Sequence, residues 1–446
     1  MQKQFIDVQL EEEILESDIS IDENFSGTLS KEYRILLEKQ YKKWSKEEVE
    51  IDVTSEQVKE ALLKDLSFLC TMSVEEYTLY RKWDEIYNRK WDYKKGYENA
   101  ANHFYSTFDH SPSAQILEIK NNIWFPSSTD DYKQLQPRVI WAANNPETTN
   151  IWNIIRTFTH TQINNSNIGR NLYFIVDDAV TKKYLGIIAM SSDFMDLTPR
   201  DSYIGWSREI KTAKRMINHT SIASTICPTQ PLGFNYVGGK LIALLSISDI
   251  VENTWNTVYK DKLVGVTTTS LYSSFSQYQN LSYWAKRGHS SGSIKFEPSK
   301  KTLEFAKKYM RKMWPRKYWE WYEATEPQGM PLKRDFKQRS LAFLYSKLKI
   351  EKSYYETNHQ RGIYFCPLFK NTNEYLRMEI DENKLEKRFD NSVENLVSIW
   401  KEKYAEKRIK SLLEKNKVNN DTLFYNDVIN MTWEQTKTKY LKEVGR

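Results

Sequence analysis

Five groups of residues in this chain could carry chemistry, and four of them fall between Arg200 and Gly292. Gly238 and Gly239, with Pro231 and Gly233 ahead of them, stand between an expected strand and an expected long helix. Glycines let a backbone approach a ligand closely, and the free N–H groups of a helix start attract anions. Lys240 adds a cation beside a bound phosphate; the plainer alternative is a tight turn with a solvated lysine. The spacing is neither GxxxxGK[ST] nor a GxGxxG after a first strand, so neither an NTPase loop nor a dinucleotide site is supported. Next, VTTTSLYSS places the hydroxyls of Thr267, Thr268, Thr269 and Ser270 at the end of a strand, where open sheets bind ligands. Alternation sends Thr267 and Thr269 to one face and Thr268 and Ser270 to the other. Threonine is also simply a good strand former.

Tyr278, Tyr283, Trp284 and His289 follow on a polar segment bounded by Gly288 and Gly292. A tyrosine hydroxyl or an imidazole here suits a general acid for a leaving group, although a lone histidine more often closes a local hydrogen bond. RDSYIGWS offers Arg200, Asp201 and Trp206 in a tight turn, either as pocket residues or as a structural clamp. The fifth group lies further on, in KKYMRKMWPRKYWEWYEATEPQGMPLKRDFKQR. There Arg311, Lys312, Arg316 and Lys317 alternate with Trp314, Tyr318, Trp319 and Trp321. Cations neutralise phosphates and rings stack on unpaired bases, so nucleic-acid contact is one reading. A solvated helix with an inward aromatic stripe is the other.

The elements that must position these groups follow from periodicity. Residues 1–30 form an acidic arm with one Lys against eight Asp and Glu. Residues 31–95 read as a helical head, with Ser30, Thr54 and Ser73 ahead of amphipathic stretches. The core, 96–298, contains a hairpin from LYFIVDD and YLGIIAM joined by AVTKK, then a strand at Thr220–Cys227. A helix from about Lys240 to Tyr259 and a buried strand from Leu263 to Thr268 complete it. Residues 299–446 are basic, aromatic and mostly helical, interrupted by the extended RGIYFCPLF. The fold class is therefore α+β, with a mixed central sheet between a helical head and a helical C-terminal region.

With 446 residues, 40% hydrophobic and 14% aromatic, the chain can bury a sizeable core. Net charge is +6, but 300–350 alone carries 14 Lys and Arg against five acids, which suits one basic face. Cys70, Cys227 and Cys366 are isolated and cannot all pair, so a reducing cytoplasm is expected. With six scattered histidines and no CxxC spacing, no metal site is expected. The acidic start lacks a secretory n-region, and no apolar run approaches the roughly 18 residues that span a bilayer. No membrane association is expected.

Six phrases in one order resemble the DruA family, named for the Druantia anti-phage defence system. They are RDSYIGWS, the strand ending CPTQP, NYVGGKLIALL, LVGVTTTSLY, YWAKRGHSSG and HQRGIYFCPLFKNTNEYLR, within a resemblance covering roughly residues 95–405. It implies a role in phage–host conflict beside other defence-system or phage proteins. A weaker similarity joins the hairpin, strand, glycine turn, helix, strand and tyrosine segment to the core of GNAT-type acyltransferases and the related Mom-type DNA-modifying enzymes of phages. That likeness implies an acyl-CoA-like ligand at Asn235, Gly238, Gly239 and Lys240, with Tyr278, Tyr283 or His289 as proton donor. Arg200, Asp201, Trp206, Thr267 to Ser270, His359 and Arg361 would then line the substrate pocket. Two functions stay open: a transferase acting on a nucleic-acid-linked substrate, or a non-enzymatic nucleic-acid-binding subunit gripping the strand through Arg311, Lys312, Trp314, Arg316, Lys317 and Trp319. A scaffold led by the acidic head is a third.

Overall fold

The computed structural model describes residues 31–46, 51–88, 118–119, 121–125, 128, 130–142, 145–159, 169–229, 238–270, 277–290, 295–325, 337–357, 360–415 and 431–444. The acidic arm, Asn235 and His359 lie outside these residues. The chain divides into two compact units, one of residues 1–62 with 298–350 and one of 63–297 with 351–446.

The first unit holds helix α1 (Lys31–Trp44), the start of α2 (Ser55–Leu69), and, from its second segment, α8 (Lys300–Met313), α9 (Pro315–Tyr322) and α10 (Lys337–Lys347). Helix α2 opens with a reciprocal cap: Gln57 N donates to Thr54 Oγ1 at 3.3 Å, and Thr54 N donates to Gln57 Oε1 at 3.0 Å. Ser299 caps α8 by accepting from Thr302 N. Leu37, Trp319 and Ala324 form this unit's small core, with Tyr41 and Trp44 packed on it.

The second unit is built on one seven-stranded sheet in the order β1-β2-β3-β4-β5-β7-β6. Its strands are β1 (Pro137–Trp141), β2 (Asn171–Asp178), β3 (Tyr184–Ser192), β4 (Thr220–Pro228), β5 (Gly265–Ser270), β6 (Ala285–His289) and β7 (Gly362–Pro367). Every neighbouring pair is antiparallel except β4 and β5, which are parallel. A parallel pair needs a crossover. Here it is α6 (Gly238–Leu245) followed by α7 (Asp249–Tyr259), not one continuous helix. The break falls at Ser246–Ser248, where Ser248 adopts an extended φ/ψ and Asp249 N donates to Asn391 O at 2.8 Å.

Strands β2 and β3 are buried on both faces for most of their length, as their unbroken apolar runs require. Helix α4 (Pro146–Thr159) lies against them; Pro146 sits at its first position and Asn145 Oδ1 accepts from Glu147 N at 2.9 Å. Helix α3 (Val74–Asn88) packs on the C-terminal α14 (Trp433–Val444), where Trp83 Nε1 donates to Met431 O and Tyr80 meets the edge of Trp433. Among the described residues no helix is long and apolar enough to cross a membrane.

The C-terminal helices belong to the sheet's core. Between β7 and α14, the chain forms α11 (Thr372–Leu376), α12 (Val393–Trp400) and α13 (Glu406–Glu414), and α12 packs on α6. Trp400 is fully buried there, and its Nε1 makes no hydrogen bond. Trp400→Ala should therefore cost about 3–5 kcal/mol through the cavity it leaves. Trp400→Phe gives up no hydrogen bond and should cost much less. Urea unfolding of the two variants against wild type checks the contrast.

Candidate functional site

Strands β4 and β5 pair at Thr220–Gly265, Ser221–Val266 and Ile222–Thr267, and among the described residues no further pair joins them. Yet β4 runs on to Pro228 and β5 to Ser270. The two strands part, and α6 begins near the opening. Buried backbone groups left by such a parting need other partners. Side chains supply them: Thr268 Oγ1 donates to Ala223 O at 2.9 Å, and Gln277 Nε2 donates to Ile226 O at 3.1 Å. Gln277 Nε2 also donates to Tyr278 Oη at 3.0 Å, and Thr268 Oγ1 reaches the same oxygen at 3.4 Å. Tyr278 is thereby fixed in the cleft, its ring against Tyr364 and Trp284. Burial pushes its phenol up to about 12, so the hydroxyl stays protonated at neutral pH.

Helix α6 opens with Gly238 in the left-handed region, at φ +64°. Arg408 of α13 crosses it so closely that a Cβ on Gly238 would lie 2.8 Å from the guanidinium carbon. A Cβ on Gly239 would lie 2.6 Å from Gln277 Cδ. A side chain on Gly239 would therefore require the Gln277 side chain to move. Lys240 Nζ donates to Gln279 O at 2.5 Å and Gln277 O at 3.3 Å, and lies 5.0 Å from the centre of the Tyr404 ring. Burial first, and then the nearby Arg408, bring its pKa down to about 8. The opening therefore combines a helix start, two cations and a protonated phenol.

Of the residues expected from sequence, Gly238, Gly239, Lys240, Thr268 and Tyr278 come together here. Tyr283 packs elsewhere: it has a positive φ of 71° and stacks on Phe389 at 3.7 Å. His289 is exposed at the end of β6, opposite Gly362. Arg361 precedes β7 and pairs its backbone with Ser290; burial lowers its pKa.

The expected substrate pocket is divided between the two faces of the sheet. Thr267 Oγ1 donates to Asp193 Oδ2 at 2.7 Å, on the face opposite Thr268. Asp193 lies 2.6 Å from Arg200 Nη1, and both side chains are fully buried. Arg200 also holds Asp201 and the Phe194 carbonyl, Lys211 bridges Asp201 and Asp196, and Trp206 lies beneath the guanidinium at 5.5 Å. Burial pushes the Asp201 carboxyl up, but Lys211 and Arg200 outweigh it and hold it below its ordinary range. These contacts make a clamp that ties the start of α5 (Thr198–Ile204) to β5. Thr269, half-buried, and Ser270, buried, pair with Ile363 and Gly362 at the end of β5.

In the first unit the basic and aromatic residues of α8 and α9 face each other and α1. Arg316 pairs with Glu38 at 2.8 Å and with Glu320, and lies over Tyr41. Arg311 lies over Trp44, Lys317 over Trp321 and Phe343, and Lys312 donates to Val53 O. Trp319 is buried and Trp314 meets the edge of Phe343.

Sequence reasoning missed Gln277, Arg408, Asp193 and Lys211. Gln277 and Arg408 carry no local pattern, since only folding brings them to the glycines. Among the described residues no cluster of His, Cys, Asp or Glu could hold a metal, and none of the three cysteines is in a disulfide.

The class defined so far is an α+β protein whose central sheet opens over a glycine-started helix. The family described as Druantia protein DruA matches residues 120–378, and this chain belongs to it. A curated relative, the Druantia protein DruA of Escherichia coli (strain UMEA 4076-1), is 30% identical over 130 residues. That alignment covers 26% of this chain and 31% of the relative. No solved structure matches the chain.

Two measurements follow from this geometry. Arg200→Met should cost about 3–5 kcal/mol, because it strands buried Asp193 without its cation; thermal or urea unfolding reads the loss. Lys240 has a folded pKa near 8 against 10.5 for an unperturbed lysine. Its penalty is fully present below about pH 8, where both states are protonated, and is relieved as pH rises from 8 towards 10.5. Wild type should gain stability relative to Lys240→Met across that window.

Proposed function

We propose that this chain is a component of a Druantia-type anti-phage defence system, acting in the cytoplasm with other defence proteins. Membership of the DruA family supports that part. We further propose that its sheet is a GNAT-like transferase core that modifies a nucleic-acid-linked substrate. One observation carries this reading: the parallel pair β4 and β5 parts after Ile222–Thr267, and the crossover helix between them opens on Gly238 and Gly239. Hairpin, strand, glycine turn, helix and strand thus come in the order that a GNAT-like core requires.

The residues present fit an acyl-CoA-like ligand in charge. Lys240 and Arg408 flank the start of α6, so Arg408 adds a cation that the turn sequence LGFNYVGG does not itself carry. Such a ligand would supply an activated acyl group. Lys240 and Arg408 would hold its phosphates, and Tyr278, protonated at neutral pH, would give a proton to the departing thiolate. The clamp around Arg200 keeps β5 in place and takes no part in the reaction.

A second reading, a nucleic-acid-binding subunit, is favoured by α8. That helix carries Lys300, Lys301, Lys307, Lys308, Arg311 and Lys312 against Glu304, and Lys300, Lys301, Lys308 and Lys312 are exposed.

Native mass spectrometry with added coenzyme A, before and after nuclease treatment, separates the two. The transferase reading expects one bound coenzyme A, and Tyr278→Phe should keep binding while lowering transfer about 10²-fold. Protein that retains nucleic acid and never coenzyme A overturns it. For the second reading, replacing Lys300, Lys301 and Lys308 with Glu should weaken DNA retention and flatten its salt dependence; unchanged retention sinks it.

A further inference from the structure

We propose that the outer edge of the sheet, where β6 meets β7, is a track for the phosphodiester backbone of a nucleic-acid strand, held by Arg287, Arg361 and Arg388. The proposal rests on what the two readings above share, that this chain meets nucleic acid, and it names the surface of the second unit that does so.

Strand β6 is the last of the sheet, and among the described residues no strand pairs with its other side. Neither of the two segments that make this edge, 283–290 and 360–370, contains an acid. Arg388 stands at one end: it is exposed, and its Nη1 donates to Tyr283 O and to Pro367 O, both at 3.2 Å. Arg287 lies in the middle, its guanidinium 3.3 Å from the centre of the Tyr203 ring and its buried Nε without a hydrogen-bond partner. Arg361 stands at the other end, where Ser290 N donates to Arg361 O at 2.9 Å and carries the ladder one step beyond His289–Gly362. The Phe365 ring meets Tyr203, and alternation places Ile363 and Arg361 on the face that Phe365 shares with Arg287. A strand rise of roughly 3.3 Å per residue puts the ends of this row about 20 Å apart. That is longer than one phosphate group and suits several along a polymer.

Charges drawn out of water are ordinarily paired, as Arg138 is with Asp177, Arg170 with Asp261 and Arg200 with Asp193. Arg287 and Arg361 are half-buried, and among the described residues neither has a carboxylate beside it. Burial lowers the pKa of both, and at Arg287 the nearby Arg388 adds to it; both stay charged at neutral pH. Nothing inside the fold offsets that desolvation, which is the pattern of a group whose partner comes from outside. The fork of a guanidinium matches phosphate oxygens in pairs, and the exposed Lys286 on the same strand adds to the positive field.

The test is fluorescence anisotropy of a labelled single-stranded DNA oligonucleotide titrated with full-length protein from low to high salt. Wild type is compared with two double variants, Arg287→Gln with Arg361→Gln and Arg287→Lys with Arg361→Lys. The glutamine variant should bind about tenfold more weakly at about 0.1 M salt, and its salt slope should fall by roughly 0.7 per lost phosphate contact. The lysine variant keeps both charges and should keep the slope while losing part of the affinity. Coenzyme A binding by native mass spectrometry should be the same in all three, so the result does not depend on the transferase reading. Wild-type affinity and slope in a folded glutamine variant overturn the track and leave α8 as the nucleic-acid surface. A glutamine variant that melts well below wild type makes the two arginines part of the fold and overturns the track as well. No binding by wild type overturns it together with the nucleic-acid part of both readings.

Discussion

Where two parallel strands separate inside a packed core, each backbone group that loses its ladder partner must find another or cost roughly 1–3 kcal/mol. That constraint organises the centre of this protein. Because β4 and β5 stop pairing at Ile222–Thr267, the carbonyls of Ala223 and Ile226 draw in Thr268 and Gln277. Holding Gln277 there fixes Tyr278 beside it, and with Tyr278 the ring contacts to Tyr364 and Trp284. It also requires Gly239 to lack a side chain. Trp284 in turn donates to Ala243 O on α6, which closes the circuit back to the helix over the opening.

The same strand supports a second polar group on its other face. Period-two alternation puts Thr267 against Asp193 and Thr268 against Ala223 and Tyr278, so β5 carries hydroxyls to both sides. The Asp193–Arg200–Asp201–Lys211 cluster below it is poor evidence of stability gained, since buried ions lose their hydration. Its geometry points to placement. Arg200 contacts Asp193, the Phe194 carbonyl and Asp201 at once, and so fixes how the chain leaves β3 and enters α5.

Much of this fold is legible in the sequence, for reasons that differ by element. LYFIVDD, YLGIIAM and TSIASTIC form central strands, and their apolar runs report burial on both faces. AKRGH, which forms β6, has no such run: it is an edge strand with a bulge between Lys286 and Gly288, defined only by its pairing with β7. PRVIW is a short edge strand for the same reason. The single helix expected from Lys240 to Tyr259 divides because Ser246 and Ser248 are both fully buried at the junction, where Ser246 Oγ donates to Ala243 O. In the cleft, Gly238, Gly239, Lys240 and Tyr278 are visible as residue types. Gln277 and Arg408 are not, because a lone glutamine and an arginine far along the chain acquire meaning only by contact.

The basic-aromatic segment shows why composition alone cannot name a partner. Rings interleaved with cations suit stacking on bases, and they suit stacking on each other equally well. Here the arginines are committed: Arg316 to Glu38 and Tyr41, Arg311 to Trp44 and Tyr318. The planar guanidinium is the group that reads base edges in pairs of hydrogen bonds, and these two are held by the protein's own rings and acids. What α8 turns outward is lysine, at positions 300, 301 and 308. An ammonium acts as a point charge, which suits phosphate oxygens and carries no sequence information. Contact with nucleic acid through this face would therefore fix position along a backbone, and any choice of target would have to come from elsewhere.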